Sequence, residues 1–454
     1  MRASAFPPPA AATLPQSRPH RVLAAPSWAG GDLGILDEDA SAAALLLWQC
    51  ARDARLWAAT EPERRTDLFS RGSGQAAAPG GANLPAEIAQ PLAYLSGISQ
   101  FPAFASDAGV AGACAAIAEW AAGAQKLATA ACFAEAASLA EPGSAGRAAA
   151  AGYLCFRRAD FPRAAIWYDR AIALARRSRD WVWYIRGHLR LGILLFQLGE
   201  HDRARPLYLR AARMAVRTGR RTFAAQAIHD LLTLESDVGT FAAGEAFARR
   251  ALALYPLRHP RVAHLAHDYC FLLIQNGYYA QAAALLDQLS PTLFERQNRV
   301  ILWGSIARAA AGMRHRDAFE QAARRVLQRA ADSDENAASA LLHVAEGARV
   351  FQEWDRAEQL AARALDLAVR RGEGTPHRLS LRLLDELCLR EPAAPPRHTG
   401  AEREIAELSR LFVQRVKRLS RALPGARLGR DLGANLSYCA GSGQGTITRP
   451  PDPI

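Results

Sequence analysis

Between residues 106 and 389, apolar and small residues recur at three- and four-residue spacings, and short polar or glycine-containing breaks cut the run into helix-length pieces. That spacing predicts amphipathic helices; strands would alternate with a period of two. The pieces pair. Gly152, Ala164, Tyr168 and Ala171 stand at offsets 0, +12, +16 and +19, and Gly192, Ala204, Tyr208 and Ala211 repeat those offsets 40 residues later. Two antiparallel helices with small residues at their crossing approach closely, and an aromatic ring fills the gap beside them. The register continues through Leu232 with Gly244, Ala248 and Ala251, and Cys270 with Ala282, Leu286 and Leu289. It then passes to Ile306 with Ala318 and Ala322, and Ala345 with Ala357, Ala361 and Ala364. Successive anchors at 152, 192, 232, 270, 306 and 345 are 40, 40, 38, 36 and 39 residues apart. A repeat of this length signals stacked supersecondary units. The fold class predicted is all-α: an α-solenoid of about six helix pairs with disordered termini.

The flanks read differently. Residues 1–35 are rich in Pro, Ala and Gly and predict disorder. Residues 36–70 predict an isolated amphipathic helix, with Leu45, Trp48, Arg52 and Leu56 as its stripe. Residues 71–105 read as a linker, and 106–140 as a small-residue helix pair that is either a first, degenerate unit or a cap on the array. The solenoid itself spans 141–390, ending in a capping helix. A Pro-rich linker (391–399) leads to an amphipathic helix at 400–423, striped by Ile405, Leu408, Phe412, Val416 and Leu419. Residues 424–454 read as a disordered tail.

Charge adds one localised feature. The chain carries a net +12, almost all of it arginine. Residues 157–221 hold 16 Arg against five acids, a net of +11. Such a patch is either coding bias or a docking surface for an acidic protein, a membrane surface or nucleic acid. The seven cysteines (Cys50, Cys114, Cys132, Cys155, Cys270, Cys388, Cys439) show no CxxC pair, so they read as buried small hydrophobes in a reducing compartment. No window is long and apolar enough to span a bilayer, and the N-terminus has no apolar secretory core. The expected location is the cytoplasm.

The units resemble the tetratricopeptide repeat, carried by LeuGly at 191–192 with Ala204, Tyr208 and Ala211, and by Gly152 with Ala164, Tyr168 and Ala171. The HisPro pair at 259–260 resembles the start of the longer kinesin-light-chain-type repeats, and Pro260 suits a helix start because its missing N–H is not needed there. The resemblance covers roughly 145–371 and implies a right-handed superhelix binding a peptide or protein along the face lined by first helices. Carried over by position, the groove would comprise Tyr153, Phe156 and Arg157 from the first unit and Arg186, Leu189, Ile193, Phe196 and Gln197 from the second. Its continuation would be His229 and Asp237 from the third unit and His264, His267, Phe271 and Gln275 from the fourth. The family's lysine–asparagine carboxylate clamp does not carry over, because its positions hold Ala149, Tyr153, Leu189 and Ile193.

Candidate chemistry is sparse. His259, His264 and His267, with His229 nearby, could suggest zinc, but HExxH and cysteine partners are absent, so packed or groove-facing histidines are preferred and no metal is assigned. No phosphate loop, nucleophile elbow or dinucleotide fingerprint occurs. GlySerGlyGlnGly at 441–445 reads as tail, and Asp332, Asp334 and Glu335 as helix-start acids. Trp181, Trp183 and Tyr184 beside Arg176, Arg177 and Arg179 read as inter-repeat packing. No catalytic residue or cofactor is assigned. The function expected is a non-enzymatic scaffold for a protein or peptide, an acidic one if the basic stretch takes part. The alternative is a regulatory protein that binds a signal peptide or contacts nucleic acid through 157–221.

Overall fold

The computed structural model describes residues 34–39, 41–72, 85–294, 298–330, 336–390 and 402–422. Among them every regular element is a helix. The expectations for the two termini, the linkers at 73–84 and 391–399, Asp332, Asp334, Glu335, Cys439 and the 441–445 glycines lie outside the described residues. The chain divides into two compact units, with the boundary between Ser178 and Arg179. The first repeated helix pair therefore belongs to one unit and the later pairs to the other.

One local device recurs in both units. Seven residues after four of the six anchors the backbone turns left-handed, at Ala159 (φ 63°), Gly199 (φ 79°), Gly277 (φ 82°) and Gln352 (φ 61°); after Leu232 it does not, Gly239 being extended (φ -106°). The next residue's N–H then bonds the carbonyl five positions back, as in Asp160 to Cys155 (2.9 Å), Glu200 to Leu195 (2.8 Å), Tyr278 to Leu273 (2.9 Å) and Glu353 to Ala348 (3.0 Å). This helix-ending motif uses the orphaned carbonyls of the first helix and reverses the chain for the second. It also corrects two sequence readings. The left-handed residue of the fifth unit is Arg314 (φ 62°), which moves its anchor from Ile306 to Ala307. Ala318 accordingly lies exposed, and Phe319 and Ala323 are buried in its place. Gln125 (φ 61°) shows the same turn, and Ala118, Ala130, Ala134 and Ala137 are all buried at the repeat offsets. The pair at 106–140, expected as a degenerate first unit or an atypical cap, is thus a repeat in full register.

The unit ending at Ser178 is built from α1 (Gly34–Glu38), α2 (Ala42–Ala59), α3 (Pro62–Gly72), α4 (Ala86–Gly97), α5 (Asp107–Gly123), α6 (Leu127–Ala140), α7 (Ala145–Arg157) and α8 (Phe161–Ser178). Residues 36–70 are not an isolated helix: α2 packs against α4, α5 and α6. Trp57 donates to Asp107 at 2.9 Å, and Glu38 accepts from the α6 N-terminus at Thr129 N (3.1 Å) and Thr129 Oγ1 (2.8 Å). Nor is 71–105 all linker, since α4 buries Ile88, Leu92 and Leu95. Pro91 lies inside that helix and disguises its apolar stripe. The buried Glu135 of α6 accepts from Arg55 (2.9 Å), Arg163 (2.5 Å) and the Trp167 indole (2.8 Å), joining α2, α6 and α8.

The second unit runs α9 (Trp181–Gln197), α10 (His201–Arg217), α11 (Arg221–Val238), α12 (Phe241–Leu254), α13 (Arg261–Gln275), α14 (Tyr279–Leu286), α15 (Arg299–Gly312), α16 (Arg316–Arg329), α17 (Ala337–Val350), α18 (Trp354–Arg371) and α19 (Gly374–Cys388). Each pair packs internally and on the next through first helices. Arg390 (φ 49°) repeats the left-handed turn seven residues after Leu383, so α19, expected as a simple cap, has the register of another first helix. The last described helix, α20 (Glu402–Ala422), lays Ile405, Leu408, Phe412, Val416 and Leu419 fully buried against α13 and α14. Its Phe412 stacks on Tyr269 at 5.3 Å. Five of the six described cysteines are buried, and Cys388 is exposed.

The crossings are as tight as the sequence pattern requires. A Cβ on Gly192 would lie 2.5 Å from the Tyr208 ring, and one on Gly152 would lie 2.7 Å from that of Tyr168. Both rings are almost wholly buried and have no room to move aside. Gly192→Leu should destabilise the chain by about 1–3 kcal/mol, read as a lowered Tm in a circular-dichroism melt; an unchanged Tm would refute the crossing.

Candidate functional site

Within the second unit the first helices line a cavity of about 960 Å³. The register explains which residues face it. Positions one and five after the anchors supply Thr233 and Asp237, Phe271 and Gln275, Arg308 and Gly312, and Glu346 and Val350. Positions six before them supply His264, Ile301 and Ser339. Residues spaced by seven and four share one helix face, so a single stripe per helix forms the wall. Phe196 and α19 residues including Thr375, Leu379, Arg382 and Glu386 complete it.

Beneath that lining runs a polar ladder that converges on Asp268. His229 Nε2 lies 2.8 Å from Asp268 Oδ2, and the Thr233 hydroxyl donates to the same oxygen at 3.3 Å. His267 Nδ1 lies 3.1 Å from Asp268 Oδ1, while its Nε2 lies 3.0 Å from Ser305 Oγ. His229 Nδ1 lies 3.4 Å from the Tyr255 hydroxyl. An ionised carboxylate only accepts, so both rings donate to it, with the Tyr255 and Ser305 hydroxyls on their far sides. Burial pushes the Asp268 pKa up, but the hydrogen bonds from His229 and His267 outweigh it and hold the carboxyl well below the usual range. The ladder ties α11, α13 and α15 together. Its residues also match a Ser–His–Asp triad in composition, yet Ser305 is wholly buried and does not line the cavity, so its hydroxyl cannot meet a substrate there. Asp230, at the same register position one helix earlier, fares differently. Burial raises its pKa to about 6 against the favourable charges of His229, Arg261 and Arg190, and its Oδ2 has no hydrogen-bond partner.

The other wall carries alternating charge. Arg308 lies 3.8 Å from Glu346, which Arg349 approaches at 3.6 Å. Arg349 also pairs with Glu386, and Arg382 donates to Glu386 at 2.8 Å. His343 stacks on Phe271 at 5.4 Å. Burial, then Arg308 and His267, push its pKa down to about 3, so the ring is neutral.

A clasp closes the wall. Thr375 donates to the Phe196 carbonyl at 3.1 Å and sits 3.3 Å from His201 Nε2. His201 Nε2 is 3.0 Å from Asp237 Oδ2, which Arg378 also reaches at 3.2 Å. Gly374 presses on the α9–α10 turn: a Cβ there would stand 2.0 Å from the Leu198 carbonyl oxygen. Only glycine permits that approach.

Of the residues predicted from sequence, Phe196, Asp237, His264, His267, Phe271 and Gln275 line the cavity. Leu189 is buried in the core, and His229 lies behind Asp268. Arg186 is 4.9 Å from the Trp183 ring and 5.4 Å from that of Phe223, so it packs against them instead of facing the cavity. Ile193 and Gln197 do not line it either. Tyr153, Phe156 and Arg157 belong to the other unit, where Phe156 packs on Phe161 at 5.6 Å and the buried Arg157 donates to Gln125 at 3.0 Å. The residues missed from sequence, Arg308, Glu346, Arg349 and the α19 set, were legible in part, because the first two occupy the same offset as Phe271.

The basic stretch is divided between the two units. Several of its arginines are engaged: Arg163 on Glu135, Arg170 on the Pro142 carbonyl (3.0 Å) and Arg205 on Glu235. Arg210, Arg213 and Arg217 are exposed on α10. Among the described residues no group of three or more His, Cys, Asp or Glu could hold a metal ion, and no helix is long and apolar enough to cross a membrane.

No protein-family model matches the chain, and neither does any curated protein. Among solved structures, the crystal structure of a Rap protein complexed with competence and sporulation factor aligns over 80% of this chain and 98% of that one, with 10% identity and a TM-score of 0.38. A score that low carries no inference about the ligand of this chain.

Two partly buried carboxylates, Asp268 and Asp230, predict opposite pH behaviour. The depressed Asp268 stabilises the fold above its unfolded pKa of about 4 and loses that contribution as pH falls below it. Asp268→Asn should therefore cost about 1–3 kcal/mol at pH 7 and progressively less as pH falls below about 4. The raised Asp230 is a burden that grows as pH rises from about 4 through 6, on the order of 2–3 kcal/mol. Asp230→Asn should accordingly raise Tm at pH 7 and leave it near wild type at pH 4. Melts of both variants across that range check the pair. Separately, Gly374→Val should detach the clasp, seen as faster amide hydrogen exchange in α19 with α13 still protected.

Proposed function

We propose that the chain is a non-enzymatic, tetratricopeptide-type scaffold that binds a short peptide or peptide segment in the cavity of its second unit. The observation that carries the reading is the cavity itself: one register stripe from successive first helices, closed by α19, lining about 960 Å³ with mixed aromatic, amide and charged groups. That size lies at the upper end for ligand pockets, which reach roughly 1,000 Å³. Phe196 and Phe271 offer apolar contact, while Asn276 and Asn336, each donating once within the protein, to the Leu272 carbonyl and to Asn298 Oδ1, keep a side-chain carbonyl that can accept from a peptide N–H. Acids and arginines alternate, which favours a ligand of mixed polarity over a strongly acidic one. The sealed Ser305 supports a binding role over hydrolysis.

Selection of random displayed peptides on the immobilised full-length chain tests this. Enriched peptides should bind Phe271→Ala at least tenfold more weakly, about 1.4 kcal/mol, and Arg213→Ala, altered on the exposed face of α10, as wild type does. Enrichment of no peptide, or equal loss in both variants, would remove the cavity from consideration.

A further inference from the structure

The alternating wall does not balance. Arg308, Glu346, Arg349, Glu386 and Arg382 follow one another across α15, α17 and α19, three guanidiniums against two carboxylates. Arg349 and Arg382 both hydrogen-bond Glu386. Arg308 stands at the end of the row. Among the described residues its guanidinium makes no hydrogen bond, and its nearest carboxylate, Glu346 at 3.8 Å, is shared with Arg349. The cavity's remaining acids are already taken: Asp268 by His229 and His267, and Asp237 by His201 and Arg378. Arg308 is about four-fifths buried, so its charge is only partly screened by water.

We propose that Arg308 is the seat of one ligand carboxylate, the C-terminal carboxylate of the bound peptide. This rests on the peptide-binding reading and specifies the end of the ligand that the cavity holds. A guanidinium presents a planar fork of N–H donors matched to a carboxylate, and such charge-assisted pairs are roughly twice as strong as neutral ones. The row has a single excess positive charge, which suits a ligand bringing one carboxylate to this wall. The surroundings agree: Phe271 occupies the equivalent position on α13 and lines the same cavity, giving the terminal residue an apolar contact. His343, neutral beside Arg308, adds no rival cation, so the anion has one place to go.

The test uses the full-length chain with a pool of random hexapeptides bearing free C-termini and the same pool amidated, read by affinity selection and mass spectrometry. Free-acid peptides should be enriched, and amidating the enriched sequences should weaken them at least tenfold. Arg308→Gln should bring free-acid binding down to the amide level, collapsing the free-acid to amide ratio to about one. Arg308→Lys, which keeps the charge but loses the fork, should fall between. Equal enrichment of both pools, unchanged binding by Arg308→Gln, or loss confined to peptides with internal Asp or Glu would overturn the assignment while leaving the peptide reading intact. Enrichment from neither pool by the wild-type chain would overturn both. Should Arg308→Gln fail to melt as wild type does, the free-acid to amide ratio measured on folded Arg308→Lys decides: it must shrink from the wild-type ratio, and an unchanged ratio overturns the assignment.

Discussion

The second unit depends most on a single carboxylate. Asp268 accepts from His229 one helix back in the array and from His267 on its own helix, and His267 passes the chain of hydrogen bonds on to Ser305 one helix ahead. Three successive first helices are thereby fixed in one register. Apolar packing alone would let neighbouring repeats slide or rotate with little penalty, because small residues at a crossing discriminate weakly between adjacent positions. A buried network with each donor and acceptor matched does discriminate, since slippage by one residue would leave several polar groups unpaired. The cavity stripe sits on the same helices. Its residues meet because the ladder beneath them sets the helices' rotation.

The second constraint acts over a far longer sequence distance. Stacked repeats normally present an open groove, as neighbours touch only neighbours. Here α19 returns to the α9–α10 turn through Thr375, Gly374 and Arg378. The contact adds a further wall to a cavity that stays open to solvent, where Arg382 on α19 is largely exposed. It also explains why Asp237 is nearly inaccessible although it belongs to the lining stripe: His201 and Arg378 cover it from two helices. The contact is slight beside the repeat crossings, consisting of a few hydrogen bonds and one close glycine approach, so it is the natural place for the wall to open.

Much of this was legible in the chain. The offsets from Gly152 and Gly192 identify the helix pairs, and Tyr168 and Tyr208 fill the crossings as the spacing implies. Where small residues gave way, the register became ambiguous. In the fifth unit Ala318, Ala322 and Ala323 offer alternative alignments, and only the left-handed Arg314 decides between them. The α4 helix was hidden by Pro91, and the repeat character of α5 and α6 by alanines so frequent that every offset finds one. The site was half legible. Positions on a helix face follow from periodicity, which is how His264, Phe271 and Gln275 were found. Closure by α19 depends on the accumulated curvature of several repeats, a quantity no local spacing encodes, so Arg382, Glu386 and Thr375 could not be seen.

The arginine excess shows why composition misdirects attention at such a site. In the 157–221 stretch the net charge suggests an outward basic face. Yet Arg157, Arg163, Arg170 and Arg186 are turned onto Gln125, Glu135, the Pro142 carbonyl, and Trp183 with Phe223. A long side chain can bury its stem and still satisfy its head, so arginine count measures supply, not surface potential. The cavity reverses the bias: its lining has more acids than arginines, and each lining acid already has a cationic or histidine partner. What distinguishes one charge from another is whether the fold has supplied its counterpart. On that criterion the many exposed arginines of α10 are ordinary solvated groups, while Arg308, four-fifths buried in the cavity wall, is the one whose missing partner a ligand would supply.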